Sequence, residues 1–377
     1  DEIAQNMFLA RDHMGIKPLY YAQIAEGIVF GSELKVLLAS GLLTREVSAG
    51  GLVGYLMLGS VPNPLTIYRQ ANAIPPASWI EIDLARLTFV SHVYWQLPID
   101  INERVGYEEA VAQVRSLLTD AVKTQLVSDV PLGAFLSGGL DSSTLVALMR
   151  QATSGTIRTC SIVFEEAEYS EASQAQSMAK HIGAEHYERV ITADDLLHEF
   201  DNILASMDQP TVDGVNSYFV SQTAHQAGLT VALSGLGGDE LFGGYPNTFG
   251  DVPRVYQSLR RVQAVPGAAN LSKWGIEHFY RHSGWQRAAD AFARPASLAS
   301  AYLTRRGLFA PSEVKAIVQP ELWEEASKVF DVVRHVDERT GKVVIGSQVT
   351  TNSMLGRNSR RNPQSAIRDS QFSWVSR

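Results

Sequence analysis

A change of hydrophobic period near residue 107 constrains the fold of this chain more than any other feature. Over 107–127, Val111, Val114, Leu117, Leu118, Ala121 and Val122 recur at helical spacing, which predicts an amphipathic helix. Beyond it, short apolar runs alternate with helical segments. Strands are predicted at 131–136, 158–164, 185–191 and 229–234, and helices at 141–151, 170–181, 193–207 and 217–227. Such alternation predicts an α/β fold, a parallel sheet with helices on both faces. The region is expected to run from 105 to 345, mainly helical after 250, with turns at Pro253, Pro266 and Pro295. Residues 1–98 read differently. They are β-rich, with strands at 7–10, 18–22, 27–30 and 79–82 and a helix at 32–40 closed by Gly41. The last stretch, 346–377, is rich in Ser, Asn and Arg without an apolar period, and is expected to be disordered or a truncated end.

Composition narrows the function classes. The 377 residues suffice for one large core or two domains. Hydrophobic residues make up 45% and charged residues 19%, which is globular rather than disordered composition. A net charge of −8 argues against nucleic acid as the main partner. The single cysteine, Cys160, excludes an intrachain disulfide and a Cys-rich metal site, and predicts a reducing, cytoplasmic setting. No apolar run is long enough to cross a bilayer, so no membrane partner is expected. The chain opens on Asp1 and passes directly into an apolar run at 7–10, which reads as the middle of a domain and suggests a fragment.

The chemistry concentrates in two glycine-rich strings. Ser137-Gly138-Gly139-Leu140-Asp141-Ser142-Ser143 follows an apolar strand and opens a helix. The glycines allow a tight turn and close approach of a ligand, while the helix start offers free N–H groups and the positive end of its dipole to an anion. Ser142 and Ser143 add hydroxyl donors. Asp141 would repel a bare phosphate, so it points to an intervening Mg²⁺. The string is not a Walker loop, because no Gly-Lys-Ser/Thr occurs in it. A plain glycine turn with a serine cap is the alternative reading. The second string, Ser234 to Tyr245, follows the apolar run 230–233. In an open parallel sheet the carboxyl ends of the strands form the ligand crevice, so this loop should face the first, with Asp239 placed to share a metal with Asp141. A solvated Asp-Glu pair on a glycine turn is the alternative there.

The first string resembles the pyrophosphate loop of the N-type ATP pyrophosphatases. Ser128-Asp129-Val130-Pro131 and the Ser234–Tyr245 string resemble the synthetase domain of asparagine synthetases. Arg11 to Tyr21 and Ser32-Glu33-Leu34-Lys35 resemble the closing part of the glutaminase domain fused to it, and the likeness covers about residues 1–250. It implies an adenine nucleotide alpha-hydrolase-like fold preceded by part of an N-terminal-nucleophile glutaminase domain. It implies a ligase of asparagine biosynthesis that uses ATP and Mg²⁺ to join aspartate, or another carboxylate, to ammonia from glutamine through an acyl-adenylate. By the same resemblance, Ser137, Gly138, Gly139, Ser142 and Ser143 cradle pyrophosphate, Asp141 and Asp239 are the catalytic metal ligands, Ser234 and Gly235 contact the nucleotide through their backbone, and Leu136 and Ile162 flank the adenosine. A homodimer is among the expected assemblies.

The chain departs from the family pattern at three places. Leu236 stands where well-known members carry an acidic residue thought to aid amination. The family's glutaminase nucleophile is a cysteine at the mature N-terminus, whereas Cys160 falls in a predicted strand and reads as a small buried residue, so no glutamine hydrolysis is expected of this polypeptide. After Thr351-Asn352-Ser353-Met354-Leu355 the likeness ends, and no lysine follows Lys342. These departures keep open a lactam- or peptide-forming relative and a degenerate, non-catalytic nucleotide-binding fragment. His181 and His186 read as structural or surface residues rather than metal ligands.

Overall fold

Alternating burial in the first 98 residues produces two small antiparallel sheets. The computed structural model describes residues 5–25, 27–98, 105–165, 172–279, 283–345 and 375–376. Strands β1 (Asn6–Ala10), β2 (Tyr20–Ile24) and β3 (Gly27–Gly31) precede helices α1 (Leu34–Ala39) and α2 (Ala49–Leu58) and strands β4 (Asn72–Ala73), β5 (Ser78–Asp83) and β6 (Thr88–Val93). The sheets run β1-β5-β6 and β3-β2-β4. On β5, Ser78, Ile80 and Ile82 are buried while Trp79, Glu81 and Asp83 are half-exposed, the period of a strand covered on one face. Ile80 and Ile82 pack with Leu9 and Ile74.

The segment is strand-rich as expected, with β4, β6 and α2 as unforeseen additions. Ser48 caps this helix by accepting the Gly51 N–H at 3.1 Å, and Gly59, at φ +79°, ends it. A Cβ at Gly51 would overlap the Thr66 carbonyl and one at Gly54 would overlap Pro62, so its glycines serve close packing.

The alternating region follows its predicted order. It comprises α3 (Tyr107–Gln125), β7 (Leu132–Phe135), α4 (Leu140–Ala152), β8 (Arg158–Phe164), α5 (Ala172–Ile182), β9 (Glu185–Ile191), α6 (Ala193–Ser206), α7 (Gly214–Gln226), β10 (Val231–Leu233) and α8 (Gly238–Phe242). The strand expected at 229–234 spans only three residues, and α7 begins three residues earlier than its apolar spacing indicated. Strands β10, β7, β8 and β9 lie side by side in parallel. Val122 of α3, Val146 and Met149 of α4, and Ala175 and Ala179 of α5 cover one face over Ala134 and Leu136. On the other face Ala224 of α7 packs near Cys160, and Ile203 and Phe219 pack with Ile191. Each large side chain buried this way contributes roughly 1.5–3 kcal/mol. The sheet is therefore covered on both faces, as the alternation predicts.

The rest is helical: α9 (Pro246–Phe249), α10 (Asp251–Gln263), α11 (Ala268–Phe279), α12 (Ser283–Phe292), α13 (Leu298–Arg306), α14 (Pro311–Ile317), α15 (Pro320–Val329) and α16 (Val332–Ile345), before strand β11 (Val375–Ser376). Pro266 and Pro295 lie between helices as expected. Pro253 does not: it sits in the first turn of α10, where its missing N–H costs nothing. β11 pairs antiparallel with β10. The other residues of the predicted atypical end lie outside the described residues.

The chain packs as two compact units. Of the described residues, one comprises 5–25, 27–98, 208–212, 245–279 and 283–345, the other 105–165, 172–207, 213–244 and 375–376. In the first, α2 packs with α14, α15 and α16 around Val53, Met57, Val314 and Ala326. The second holds the parallel sheet. No helix among the described residues is long and apolar enough to cross a membrane.

Candidate nucleotide site

The candidate site lies where the strand order reverses. From β7 the chain proceeds outward to β8 and β9, then returns to lay β10 on the other side of β7. Loops leaving the carboxyl ends of β7 and β10 therefore flank one crevice, the usual ligand position in a sheet of this kind.

The loop after β7 is braced by its own serines. The Ser137 N–H donates to Ser142 Oγ at 3.2 Å, the two hydroxyls lie 3.0 Å apart, and the Ser142 hydroxyl donates to the Gly139 carbonyl at 3.2 Å. Gly138 turns the chain at φ +86°. The first intrahelical bond of α4 runs from Ser143 N–H to the Gly139 carbonyl at 3.0 Å, which leaves the amides of Leu140, Asp141 and Ser142 without helical acceptors. Ser137 is exposed, and Gly138, Gly139 and Ser143 are half-buried. Ser142 differs from the reading of a free hydroxyl donor. It is buried, and its hydroxyl is spent inside the loop.

The loop after β10 packs directly on this first turn. A Cβ on Gly235 would stand 2.8 Å from the Ser142 nitrogen and 3.0 Å from the Asp141 carbonyl carbon, so only glycine permits the approach. A Cβ on Gly238 would overlap the Asp141 carboxylate. Ser234 Oγ accepts the Leu236 N–H at 3.2 Å and the Gly235 carbonyl accepts the Gly238 N–H at 3.2 Å, folding the loop into α8. Asp239 and Glu240 occupy the first turn of α8.

Electrostatics makes Asp141 the focus. Burial raises its pKa first, and the negative charges of Asp239 and Glu240 raise it further, against the lowering effect of a hydrogen bond from the Asp239 N–H. Among the described residues no three His, Cys, Asp or Glu side chains form a complete metal cage. Asp141 and Asp239 are hard oxygen donors, and Mg²⁺ is commonly bound by one or two carboxylates with the remaining positions left to phosphate and water, so the donor set fits that ion.

Beside Asp141 a cavity of about 250 Å³ opens between α3, α4 and α8, walled largely by Leu118, Val122, Leu145, Leu148, Leu241 and Phe242, with no Lys, Arg or His in its lining. Of the two apolar residues named for the adenosine, Leu136 directly follows β7, whereas Ile162 lies inside the neighbouring β8, two residues before its end. Leu136 is buried in the core beneath α4, and its N–H reaches the Cys160 carbonyl at 2.9 Å. Ile162 is half-buried and packs against the Ile191–Ile203–Phe219 cluster. Leu236 is 67% exposed at the turn of the second loop. Cys160 is fully buried, and burial pushes its thiol up to about 11, so it is a core residue.

Glu240 was not singled out from the sequence. Its only signal was its place beside Asp239 in the Asp-Glu pair. The facing of the two loops is expected from the sequence, but the backbone contact of Gly235 with Ser142 and the cavity are not, since both depend on how closely the fold brings these elements together.

The glutamine amidotransferase domain family matches residues 1–95. An asparagine synthetase (glutamine-hydrolyzing) 1 of Bacillus subtilis is 33% identical over 266 residues, covering 69% of this chain and 40% of the relative. A second B. subtilis protein, asparagine synthetase 3, is 34% identical over 264 residues, 65% of this chain and 42% of its own. Asparagine synthetase B of Escherichia coli is 27% identical over 301 residues, 71% of this chain and 48% of its own. The chain thus spans less than half the length of these relatives. The asparagine synthase family itself matches residues 113–364, the stretch that carries both glycine loops and the sheet between them, and the chain belongs to that family.

Proposed function

We propose that this chain supplies the ATP-using part of an amide-forming ligase, most specifically one that makes asparagine from aspartate and glutamine-derived ammonia. The observation that carries the proposal is the backbone contact of the two glycine loops at Gly235 and Ser142, with Asp141 between them. Family membership and the match of 1–95 to glutamine amidotransferase domains support the substrates.

In this reading the α4 amides of Leu140, Asp141 and Ser142 hold the β- and γ-phosphates, with Ser137, Gly138, Gly139 and Ser143 shaping the cradle. The braced Ser142 hydroxyl keeps that cradle formed before ligand arrives. Ser234 and Gly235 orient the nucleotide through their backbone, and Leu136 and Ile162 bound its adenosine end. Asp141 and Asp239 would hold Mg²⁺, whose charge offsets that building on departing pyrophosphate. The substrate carboxylate forms a bond to the α-phosphorus as the bond to the pyrophosphate oxygen breaks. An amine then attacks the acyl carbon, AMP leaves, and the nitrogen sheds its excess proton. Adenylation is needed because a carboxylate is a poor electrophile at neutral pH. Calorimetry on the chain should show ATP binding that requires Mg²⁺ and weakens in Asp141→Asn. Equal binding by both proteins would remove Asp141 from the metal.

A further inference from the structure

Helix α6 presents more apolar surface than the sheet beneath it covers. Ile203 is buried against Ile191 and Phe219 and anchors the helix to the fold. Leu197, Phe200 and Leu204 recur at i, i+3 and i+7, and are 73%, 51% and 54% exposed. Leu196, at the edge of this stripe, is 37% exposed. The outer face of a helix that meets only water is polar, and singly scattered apolar residues do not line up at helical spacing.

The charge of the same helix indicates what covers the stripe. α6 contains Asp194, Asp195, Glu199 and Asp201 and neither Lys nor Arg. Asp195 is held by Arg189 and Thr192, and Glu199 accepts from Tyr218 and Asn202. Asp194 and Asp201 are exposed. Seven residues apart, they run beside Leu197 along one flank of the stripe, and neither has a cationic partner among the described residues. Two copies of this face would bring like charges together, which disfavours self-association through it. A helix with an apolar stripe and flanking Lys or Arg complements both the leucines and the aspartates. We propose that the outer face of α6 docks a basic-flanked amphipathic helix of a partner protein, with Leu197, Phe200 and Leu204 as the buried anchors. The proposal does not depend on the nucleotide reading.

The probe is a synthetic helical peptide with leucines at i, i+3 and i+7 and lysines on both flanks, beside a second peptide with glutamates in place of the lysines. Fluorescence anisotropy with the whole chain should show the lysine peptide binding, more weakly as salt rises, and the glutamate peptide at least roughly tenfold weaker. The double variant Leu197→Ser/Phe200→Ser should bind the lysine peptide roughly tenfold or more weakly while keeping its thermal unfolding midpoint, because both side chains are exposed in the fold. Absence of binding, equal affinity for the two peptides, or equal affinity of variant and parent would each overturn the proposal. So would sedimentation showing a dimer of the chain that the double substitution dissolves.

Discussion

Replacing Gly235 by alanine tests the loop contact at its narrowest point. The added Cβ would meet the Ser142 nitrogen at 2.8 Å, the Asp141 carbonyl carbon at 3.0 Å and the Ser142 Cα at 3.1 Å. All three atoms are backbone of the first turn of α4, so no flexible side chain can swing aside. Overpacking of this kind costs about 1–3 kcal/mol when the surroundings give way. Here the cheapest relief is to part the two loops, which moves Ser234 and Asp239 away from the α4 amides. If binding bears the whole cost, Mg-ATP affinity falls ~5- to 150-fold. Gly275→Ala is the contrast. It lies within α11 with nothing inside 4 Å of its Cβ, and should raise stability by roughly 0.5–1 kcal/mol without touching binding. Calorimetric titration with Mg-ATP, paired with urea unfolding of both variants and the parent, separates the two effects. A Gly235→Ala protein that binds and unfolds like the parent would refute the claim that the loops meet through backbone.

Asp141→Asn should act in opposite directions on stability and on binding. Its folded pKa lies above the unfolded value, so the fold binds the extra proton, and stability falls as pH rises from below about 3.8 through the folded pKa. At neutral pH the variant should therefore unfold at a higher temperature than the parent while binding Mg-ATP more weakly; a lower midpoint would contradict the repulsion argument. Leu236→Glu, at an exposed turn, should raise ammonia-dependent amide formation more than ATP–pyrophosphate exchange in the full-length enzyme, since general-base help is usually worth about 10²–10⁴-fold. Equal change in both rates would make Leu236 a bystander. Thr192→Ala removes the capping box of α6 and should cost about 1 kcal/mol in urea unfolding. Its partner Asp195 is pulled down to about 2 by the Thr192 amide and hydroxyl and by Arg189, so its contribution is present above about 3.8 and lost as pH falls toward about 2. Cys160 should react with a thiol reagent only as fast as the chain unfolds, because its thiol is buried and pushed up to about 11.

The parts legible in the sequence are those whose signal is local. A Gly-Gly string between an apolar run and a helical run marks the loop after β7, because the same residues that permit the turn also start the helix. The period change at residue 107 marks the sheet, because strand and helix bury residues at different spacing. What stayed hidden depends on neighbours far along the chain. α2 carries Gly50, Gly51 and Gly54, which lower intrinsic helix propensity, yet Ala49, Val53 and Met57 bury it in the core, and the glycines admit Thr66 and Pro62 too close for any Cβ. Pro253 read as a break but sits where a helix has no bond to lose. The Ser142 hydroxyl read as a ligand donor, and only the turn at Gly138 brings Gly139 and Ser137 near enough to occupy it.

The same nonlocality explains why the site is costly to the fold that holds it. Burial and the charges of Asp239 and Glu240 raise the energy of ionised Asp141 where two glycine loops meet. A fold optimised for stability alone would place a neutral or basic side chain at one of these positions. The glycines compound the cost, since each loses more backbone freedom on folding than any other residue. Gly235 nevertheless sits against the Ser142 backbone and Gly238 against the Asp141 carboxylate, so the repulsion is held in place by contacts that admit no side chain. Such an arrangement makes sense when a cation and a polyanionic ligand arrive together. The cation cancels the carboxylate repulsion, and the anion takes the α4 amides that have no helical acceptor. Binding of ATP without a divalent cation should therefore be weak here for a reason separate from the chemistry of phosphate itself: the anion alone would add its charge to three carboxylates that already repel.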